Sequence, residues 1–303
     1  MCSDIPSYPK VLTFGTRGTE NVLDGPVAVQ EKVDGSMFRF GIKDSELVMA
    51  SHHSSLVADG PKSMFDEAID YVKSREDMLR FIAQTQGSSV LLYCEYLQQS
   101  KHNTLSYARA PQNHLVLFDA VIGDDFVDYS NLESLAASLR IDVVPLLYSG
   151  EITKGELDKL LETPSYLGNE TVEGIVIKNY NQHIAIGGRL YPIFVKLVRE
   201  KFKERNNKEW RKNSGKSVIQ DYIESFGSEA RWLKAIQRRR EDGELLHAPQ
   251  DIGPLIKIIN QDMIDEEEEN IKDFFYKQFI KEILRSATRG FPYWYKDWLA
   301  KGE

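Results

Sequence analysis

Cysteine is scarce in this 303-residue chain, which has only Cys2 and Cys94. Two cysteines so far apart give neither a disulfide framework nor the spacing of a metal site, so we expect a reducing, intracellular setting. No apolar run approaches 18 residues, which excludes a membrane-spanning helix. The first residues, MCSDIPSYPKVLTF, lack the basic start and apolar core of a signal peptide. We therefore expect a cytoplasmic protein, in a host cytoplasm if the source is viral, that is monomeric and has no membrane partner.

Positive charge is sparse over most of the chain and concentrated in one segment. The net charge of −8 argues against a protein that coats nucleic acid by bulk charge. Residues 1–200 hold 18 Lys and Arg against 27 Asp and Glu, whereas residues 201–240 hold 12 against 5. A basic segment after an acidic body indicates either nucleic-acid contact or a set of solvated helix faces, and charge alone does not decide between them.

The first 200 residues are mostly strand-like, with helical inserts. Runs rich in Val, Ile, Leu, Phe and Tyr, several of them alternating, predict strands at 27–32, 36–42, 46–50, 90–96, 114–121, 172–178 and 193–198. Helices are expected at 63–84, 130–139 and 151–162, with Ser63, Ser130 and Thr153 near their starts as caps. Strands and helices do not alternate as in a doubly wound sheet, so we expect an antiparallel α+β domain over residues 1–204.

After about residue 205 the pattern becomes helical, and we expect a small all-helical domain over residues 205–303. An apolar stripe with a four-residue repeat, expected to pack within this domain, is formed by Ile271, Phe275, Phe279 and Ile283. The acidic run at 265–269 is expected to begin that helix, because acids suit the positive end of the helix dipole.

The stretch QEKVDGSMFRF at 30–40 places Lys32 at a strand end, before an Asp34-Gly35 turn. Such a turn can bring backbone N–H groups near a phosphate. A deprotonated lysine amine can form a covalent intermediate. Farther along, Lys178 ends EGIVIK and Lys196 lies within FVKLV, both otherwise apolar strands. Lysines in such strands are costly unless an anion meets them, so the three lysines predict one anion site.

This combination resembles the covalent nucleotidyltransferase superfamily, which includes polynucleotide ligases and mRNA capping enzymes. KVDG at 32–35 resembles its nucleophile motif, and EGIVIK and VKLV resemble its fourth and fifth motifs. Three further stretches fall in the expected order: ASHHS at 50–54, YCEY around Glu95 and LFDA around Phe118. Residues 95–120 and KLVREKFKE are most similar to RNA ligases of the second phage type. The helical C-terminal part agrees, because DNA ligases and capping enzymes would continue into a small β-barrel.

The resemblance implies an ATP-dependent RNA ligase that joins 3′-hydroxyl and 5′-phosphate ends. These would be separate RNA ends or the two sides of a nick in a duplex. The implied intermediates are a lysyl-AMP and an adenylylated 5′ end. The implied catalytic residues are Lys32, Lys178, Lys196 and Asp34. The implied adenylate-binding residues, besides Lys178 and Lys196 at the α-phosphate, are Glu31, Val33, Gly35, Ser36, His52, Glu95, Phe118 and Glu173. Among these, Glu95 would bind the ribose, Phe118 would stack on adenine, and Glu173 would act through Mg²⁺ or Mn²⁺.

The chain departs from the family pattern at two positions. His52 stands where an arginine is usual, and Val198 stands where a second lysine often follows Lys196. Both departures put rate and metal handling in doubt, not the type of reaction. An ordinary lysine pKa of about 10.4 leaves few neutral amines at pH 7, so we expect Lys178, Lys196 and a metal ion to lower the pKa of Lys32.

Candidate nucleic-acid contacts are the polar residues of one loop and the basic segment: Lys101, His102, Asn103, Arg109, Lys203, Arg205, Arg238 and Arg239. The loop residues are equally compatible with an ordinary exposed loop. Two other functions remain open, namely a DNA ligase without the barrel and an adenylate- or RNA-binding protein that does not catalyse. The presence of Lys32, Glu173, Lys178 and Lys196 argues against the second.

Overall fold

A computed structural model of the chain describes residues 5–52, 54–56, 63–186, 188–199 and 218–301. By packing, the chain divides into two units, Met1–Leu255 and Ile256–Glu303. The first unit contains two largely antiparallel sheets with helices, and the described part of the second is helical. The predicted α+β class with helices at the C-terminal end is therefore confirmed. Among the described residues, no helix is long and apolar enough to cross a membrane.

The strands, in chain order, are β1 (Leu12–Thr13), β2 (Val27–Lys32), β3 (Ser36–Lys43), β4 (Glu46–Ser51), β5 (Ser55–Leu56), β6 (Val90–Tyr96), β7 (Leu115–Ile122), β8 (Asp125–Phe126), β9 (Asp142–Val143), β10 (Leu146–Gly150), β11 (Gly174–Ile186) and β12 (Arg189–Val198). The helices are α1 (Asp66–Ser74), α2 (Glu76–Gln86), α3 (Tyr129–Leu139), α4 (Lys154–Leu160), α5 (Val218–Glu224), α6 (Glu229–Glu241), α7 (Ile252–Thr288) and α8 (Phe291–Lys301). The predicted strands are all present, and the strand predicted at 172–178 extends into a long hairpin with β12.

The strands form two sheets. The first has the order β1-β12-β11-β2-β10, and the second has the order β5-β4-β3-β6-β7-β8 with β9 paired to β7. Neighbours are antiparallel except for the short pairs β1–β12 and β7–β9. The register of β6 and β7 shifts between Tyr93 and Cys94, so Phe118 has no partner in the ladder. This β-bulge changes the alternation of side chains along β7.

Because side chains alternate along a strand, one face of each sheet packs against helices and the other face is available for a functional site. Phe38 and Phe40 of β3 pack with Leu79 of α2 in a core that also includes α1 and α3. On the first sheet, Val29 and Ile177 pack with other apolar residues around α4. The intervening residues of β2, β3, β6 and β11 point to the opposite faces. The site described below lies between these two faces.

Some helix ends differ from the prediction. The single helix expected at 63–84 is broken at Arg75, which ends α1 and begins α2. The cap of α3 is Asp128, whose carboxylate accepts the Asn131 N–H at 2.8 Å, and not Ser130. Asp128 is the cap because it lies one residue before the helix, where its side chain can reach an unpaired N–H group. Thr153 caps α4 as predicted.

The C-terminal helices also correct two expectations. The acidic run at 265–269 lies inside α7, which begins at Ile252 after a turn closed by Asp251. Asp251 accepts the Leu246 and Ala248 N–H groups, which fixes the start there. The apolar stripe is not packed throughout, because Phe279 is 37% exposed and Ile283 is 59% exposed. The boundary predicted between residues 204 and 205 lies outside the described residues.

Candidate active site

Lys32 lies at the end of β2, and its amine donates a hydrogen bond to Glu173 Oε2 at 2.7 Å. The cause is strand register, because Lys32 is paired with Gly174 of β11 and Glu173 precedes that residue. A Cβ on Gly174 would lie 2.5 Å from Leu197 O, so only glycine permits the approach of β11 to β12 here. The Lys32 side chain is 30% exposed and the Glu173 side chain 12%. The pair is therefore accessible from solvent.

All three lysines predicted to converge lie on one face of the first sheet. Lys32 is opposite Gly174, Lys178 is opposite Ala28, and Lys196 is opposite Val176. Paired residues share a face, and so do alternate residues along β11. The prediction that they form one anion site remains open, because their amines have different surroundings.

The Lys178 amine is held by β7 of the second sheet. It donates to Phe118 O at 2.7 Å and to Asp119 Oδ2 at 2.9 Å. The Lys178 and Asp119 side chains are 2% and 1% exposed. Burial lowers the pKa of Lys178, against the opposing effect of Asp119. The role predicted for Lys178 at the α-phosphate stays a prediction.

Aromatic rings enclose the Lys178–Asp119 pair. The Lys178 amine lies 5.4–5.9 Å from the ring centres of Tyr8, Phe118 and Phe194. The Tyr8 hydroxyl donates to Asp119 Oδ2 at 2.8 Å. Phe118 meets Tyr8 edge to face at 5.1 Å, so its predicted stacking on adenine stays a prediction beside this packing role.

The electrostatics around Lys32 contradict one expectation for the protein without ligands. Burial lowers the pKa of Lys32, but Glu173, Asp34 and Glu95 outweigh burial and raise the pKa above the ordinary lysine value. The lowering expected from Lys178, Lys196 and a metal ion is not seen in the protein without ligands, because the charged groups that act on Lys32 there are acids. Chemistry at Lys32 therefore requires that its bond to Glu173 be released.

Asp34 anchors a loop against the nucleophile turn. Its carboxylate accepts the Thr104 N–H at 2.7 Å and the Leu105 N–H at 2.8 Å. Its own N–H donates to the Tyr107 hydroxyl at 2.9 Å. Asn103 Nδ2 donates to Gly35 O at 3.0 Å. The conformation after Lys32 is thus fixed by residues about 70 positions farther along the chain.

Gly35 is required for close packing, not for an unusual backbone angle. A Cβ on Gly35 would lie 2.9 Å from Leu97 Cδ1 and 3.0 Å from Glu95 Oε2. Burial raises the pKa of Glu95 to about 8, with Lys32 acting in the opposite direction. Burial thus favours the protonated carboxyl of Glu95, a form that can both donate and accept hydrogen bonds.

Helix α6 contributes contacts that sequence reasoning missed. Gln237 Nε2 donates to Gly35 O at 3.1 Å and to Glu241 Oε1 at 2.9 Å. Ser36 Oγ lies 3.0 Å from His102 Nε2, and a hydrogen bond with Ser36 lowers the pKa of Glu241 against the larger effect of burial. Gln237 is 202 positions from Gly35, and no local pattern could have indicated the contact.

The remaining predicted adenylate-binding residues have varied environments. Glu31 is buried, accepts the Tyr166 N–H at 3.1 Å and has a pKa raised by burial. Val33 is buried in a small apolar cluster, and Ser36 is buried in the turn. His52 is exposed after β4. Their predicted contacts with nucleotide stay predictions.

Among the predicted nucleic-acid contacts, two arginines are tied to acids. Arg109 pairs with Asp142 at 2.7 Å, and Arg239 pairs with Asp251 at 2.9 Å. Lys101 is exposed, and Arg238 is partly buried on α6. Lys203 and Arg205 lie outside the described residues.

Comparisons with known proteins give a family and distant structural likenesses. Residues 25–194 match a family described as RNA ligase. No curated protein matches. The RNA ligase of Naegleria gruberi with PPi is 17% identical, with a TM-score of 0.46 over 64% of this chain and 56% of that one. A mutant of that ligase with ATP and Mn is also 17% identical, with a TM-score of 0.47 and the same coverage.

The match spans little more than half of the length of those structures. The family match includes Lys32, Glu95, Phe118, Glu173 and Lys178 of this chain, and it ends before Lys196. Since the family match covers more than half of the 303 residues, this chain belongs to the RNA ligase family.

Proposed function

We propose that this chain is an ATP-dependent RNA ligase that joins 3′-hydroxyl and 5′-phosphate ends through a lysyl-AMP intermediate on Lys32. One observation carries the proposal: the Lys32 amine lies 2.7 Å from Glu173 Oε2, at a strand end followed by a tightly held turn. Both residues lie within the segment matched to the RNA ligase family. An accessible lysine at a strand end, before a turn held in place by other residues, has the setting of a covalent nucleophile.

In the first step the Lys32 amine attacks the α-phosphorus of ATP. A nitrogen–phosphorus bond forms, the bond to the leaving oxygen breaks, and pyrophosphate departs. The amine must lose a proton before it attacks. In the protein without ligands Glu173 stabilises the charged amine, so the Lys32–Glu173 bond must be released first.

In the second step the 5′-phosphate of the polynucleotide attacks the same phosphorus, which frees the Lys32 amine and leaves an adenylylated 5′ end. In the third step a 3′-hydroxyl attacks the 5′-phosphorus, a phosphodiester forms, and AMP leaves. Lys196 lies on the same sheet face as Lys32 and contributes to the electrostatic environment of Glu173. Its positive charge would stabilise charge that develops on the phosphate.

A buried polar atom on the Lys32 face of β2 fits a bound nucleotide. Gln30 Oε1, two residues before Lys32, is buried without a hydrogen-bond partner among the described residues. Such atoms are costly unless a ligand satisfies them. The Glu95 carboxyl, whose protonated form is favoured by burial, suits ribose hydroxyls, which both donate and accept. These features support ATP as the substrate of the first step.

The residues also fit a divalent cation shared with the nucleotide, Mg²⁺ or Mn²⁺. No group of three or more acidic, His or Cys residues in the described part of the chain could hold a metal by itself. Mg²⁺ is commonly held by one or two carboxylates together with substrate phosphates, and Glu173 supplies one carboxylate. Bound there, the cation would draw the charge of Glu173 away from Lys32 and favour the neutral amine.

Incubation with ATP labelled at the α-phosphate and Mg²⁺ tests the first step. We expect label on the protein that survives denaturation and is absent from Lys32→Ala. If no label is transferred to the wild-type protein, the ligase proposal is wrong, and a binding protein without catalysis is favoured.

Sealing assays then separate RNA ligase from DNA ligase. We expect nicked RNA with a 5′-phosphate to be sealed faster than the matched DNA nick, with single-stranded ends and hybrid duplexes completing the panel. Faster sealing of DNA would favour the alternative of a DNA ligase without the barrel.

A further inference from the structure

A cavity of about 400 Å³ lies beside the nucleophile turn. Its walls come from the loop around residues 98–103, from the end of α6 and from the segment that follows α6. The polar residues that line it include Gln98, Lys101, His102, Asn103, Arg240 and His247. None of the lining residues is acidic, although the chain as a whole is. The cavity is therefore a local site for an anion.

Two cations of this cavity are available to a ligand. Neither the Lys101 amine nor the Arg240 guanidinium has a hydrogen bond or ion pair with any described residue. Arg239, the residue before Arg240 on α6, is bound instead by Asp251 and Glu244. Arg240, which the sequence did not single out, is consequently better placed to bind an anion than Arg239.

One wall of the cavity also holds the nucleophile turn. His102 Nδ1 accepts the Gln98 N–H at 3.3 Å, so its Nε2 carries the proton and donates to Ser36 Oγ at 3.0 Å. Asn103 Nδ2 donates to Gly35 O, and Asn103 Oδ1 is buried without a described partner. A ligand in the cavity would thus contact residues that directly touch the turn after Lys32.

We propose that this cavity binds a backbone phosphate of the RNA strand, with Lys101 and Arg240 as its charged contacts. Guanidinium and ammonium groups together are the usual partners of phosphate, and the amides of Gln98 and Asn103 suit ribose hydroxyls. Lys101, Arg240 and His247 are exposed, which permits a polymer to enter.

The occupant is a strand phosphate and not a phosphate of ATP. The nucleotide is assigned to the space between the two sheets, and no residue of a facing strand lines the cavity. This inference rests on the proposed ligase function and gives it a defined point of strand contact outside the nucleotide site.

The test uses the full-length double variant Lys101→Gln/Arg240→Gln, which keeps the side-chain stems and removes both charges. Binding to a nicked RNA duplex with a 5′-phosphate is measured over a range of salt concentrations. We expect affinity to fall by about three- to tenfold and the salt slope to fall by about one. Formation of lysyl-AMP from ATP should keep its wild-type rate and KM.

Lys154→Gln is the matched control, since Lys154 is exposed on α4 and its loss changes the charge in the same sense. RNA binding and salt slope should be unchanged in this variant. Wild-type RNA affinity in the double variant, or an equal loss in Lys154→Gln, would overturn the phosphate site while leaving the ligase proposal intact. A raised KM for ATP without a change in RNA binding would also overturn it, because the cavity would then serve the nucleotide. Absence of labelling in the wild type would instead reject the ligase function, and the cavity would still be judged by RNA binding.

Discussion

Two lysine–carboxylate pairs lie between the sheets, and they differ in access to solvent. Lys32 and Glu173 meet at 2.7 Å with side chains 30% and 12% exposed. Lys178 and Asp119 meet at 2.9 Å with side chains 2% and 1% exposed. The two pairs have similar groups at similar distances but different exposure. We call Lys32–Glu173 the open pair and Lys178–Asp119 the closed pair.

The difference in exposure indicates that the two pairs have different roles. A closed pair loses much of its stabilising energy to desolvation, and removal of one partner leaves a buried charge. An open pair contributes little to stability, because water and salt screen it. We therefore expect the Lys32–Glu173 pair to matter for chemistry and the Lys178–Asp119 pair to matter first for folding.

The largest effect is expected from Lys32→Ala. The variant should give no protein-bound AMP, because it removes the lysine at the end of β2, the amine that is proposed to carry AMP. Its free energy of unfolding should fall by less than that of the closed pair's variant Asp119→Asn, since the Lys32–Glu173 pair is partly exposed. Labelling with ATP and urea unfolding measure the two properties. A large loss of stability would contradict the proposed contrast.

Asp119→Asn tests the closed pair. We expect the free energy of unfolding to fall by about 3–5 kcal/mol, because the Lys178 ammonium would lose its buried partner. Glu173→Gln is the matched variant of the open pair, and its cost should be about 1 kcal/mol. Urea unfolding of both variants measures the difference. Equal losses would show that exposure does not distinguish the pairs.

Gly35→Ala tests the close packing beside the open pair. The added Cβ would crowd Leu97 and Glu95, so the turn would shift and lysyl-AMP formation should slow by about ten- to a hundredfold. Gly155→Ala is the control, because a Cβ on Gly155 has no neighbour within 4 Å and alanine favours its helix. The rate of labelling should stay at the wild-type value in the control. A wild-type rate in Gly35→Ala would mean that the turn can move without cost.

Gln237→Ala should have the smallest effect of the set. It removes the hydrogen bond from α6 to Gly35 O, and one such bond contributes about 1 kcal/mol. Lysyl-AMP formation should slow by a few-fold, which single-turnover labelling can measure. Gln220→Ala removes a side-chain bond between two residues of α5, Gln220 and Glu224, and it should leave the rate unchanged. An equal loss in both variants would attribute the effect to helix stability.

Sequence patterns located the strands and the lysines because both leave local signals. Alternating apolar residues define β3, and a nearly continuous apolar run defines β6. Lys32 ends β2, and Lys178 follows the apolar run at the start of β11. The likeness to known motifs added Glu173 and Glu95. The family match covers the segment that contains these residues.

Partners across long separations could not be predicted in the same way. Lys178 was expected at a phosphate, yet its amine is bound by Asp119, 59 positions earlier. The contact between Gln237 and Gly35 depends on the packing of a helix that ordinary periodicity cannot place. The pKa of Lys32 in the protein without ligands could not be predicted for the same reason, since it depends on which acids fold around the amine.

The bulge in β7 makes the contacts of Phe118 and Asp119 with Lys178 depend on the number of residues in the strand. Phe118 is the residue without a ladder partner, and it precedes Asp119, so the Phe118 carbonyl and the Asp119 carboxylate both reach Lys178. Loss of one residue there would restore regular alternation and turn one of the two groups away. Insertions and deletions should therefore be tolerated in nearby surface loops but not between Leu117 and Ala120, where a change in length would act like a double substitution.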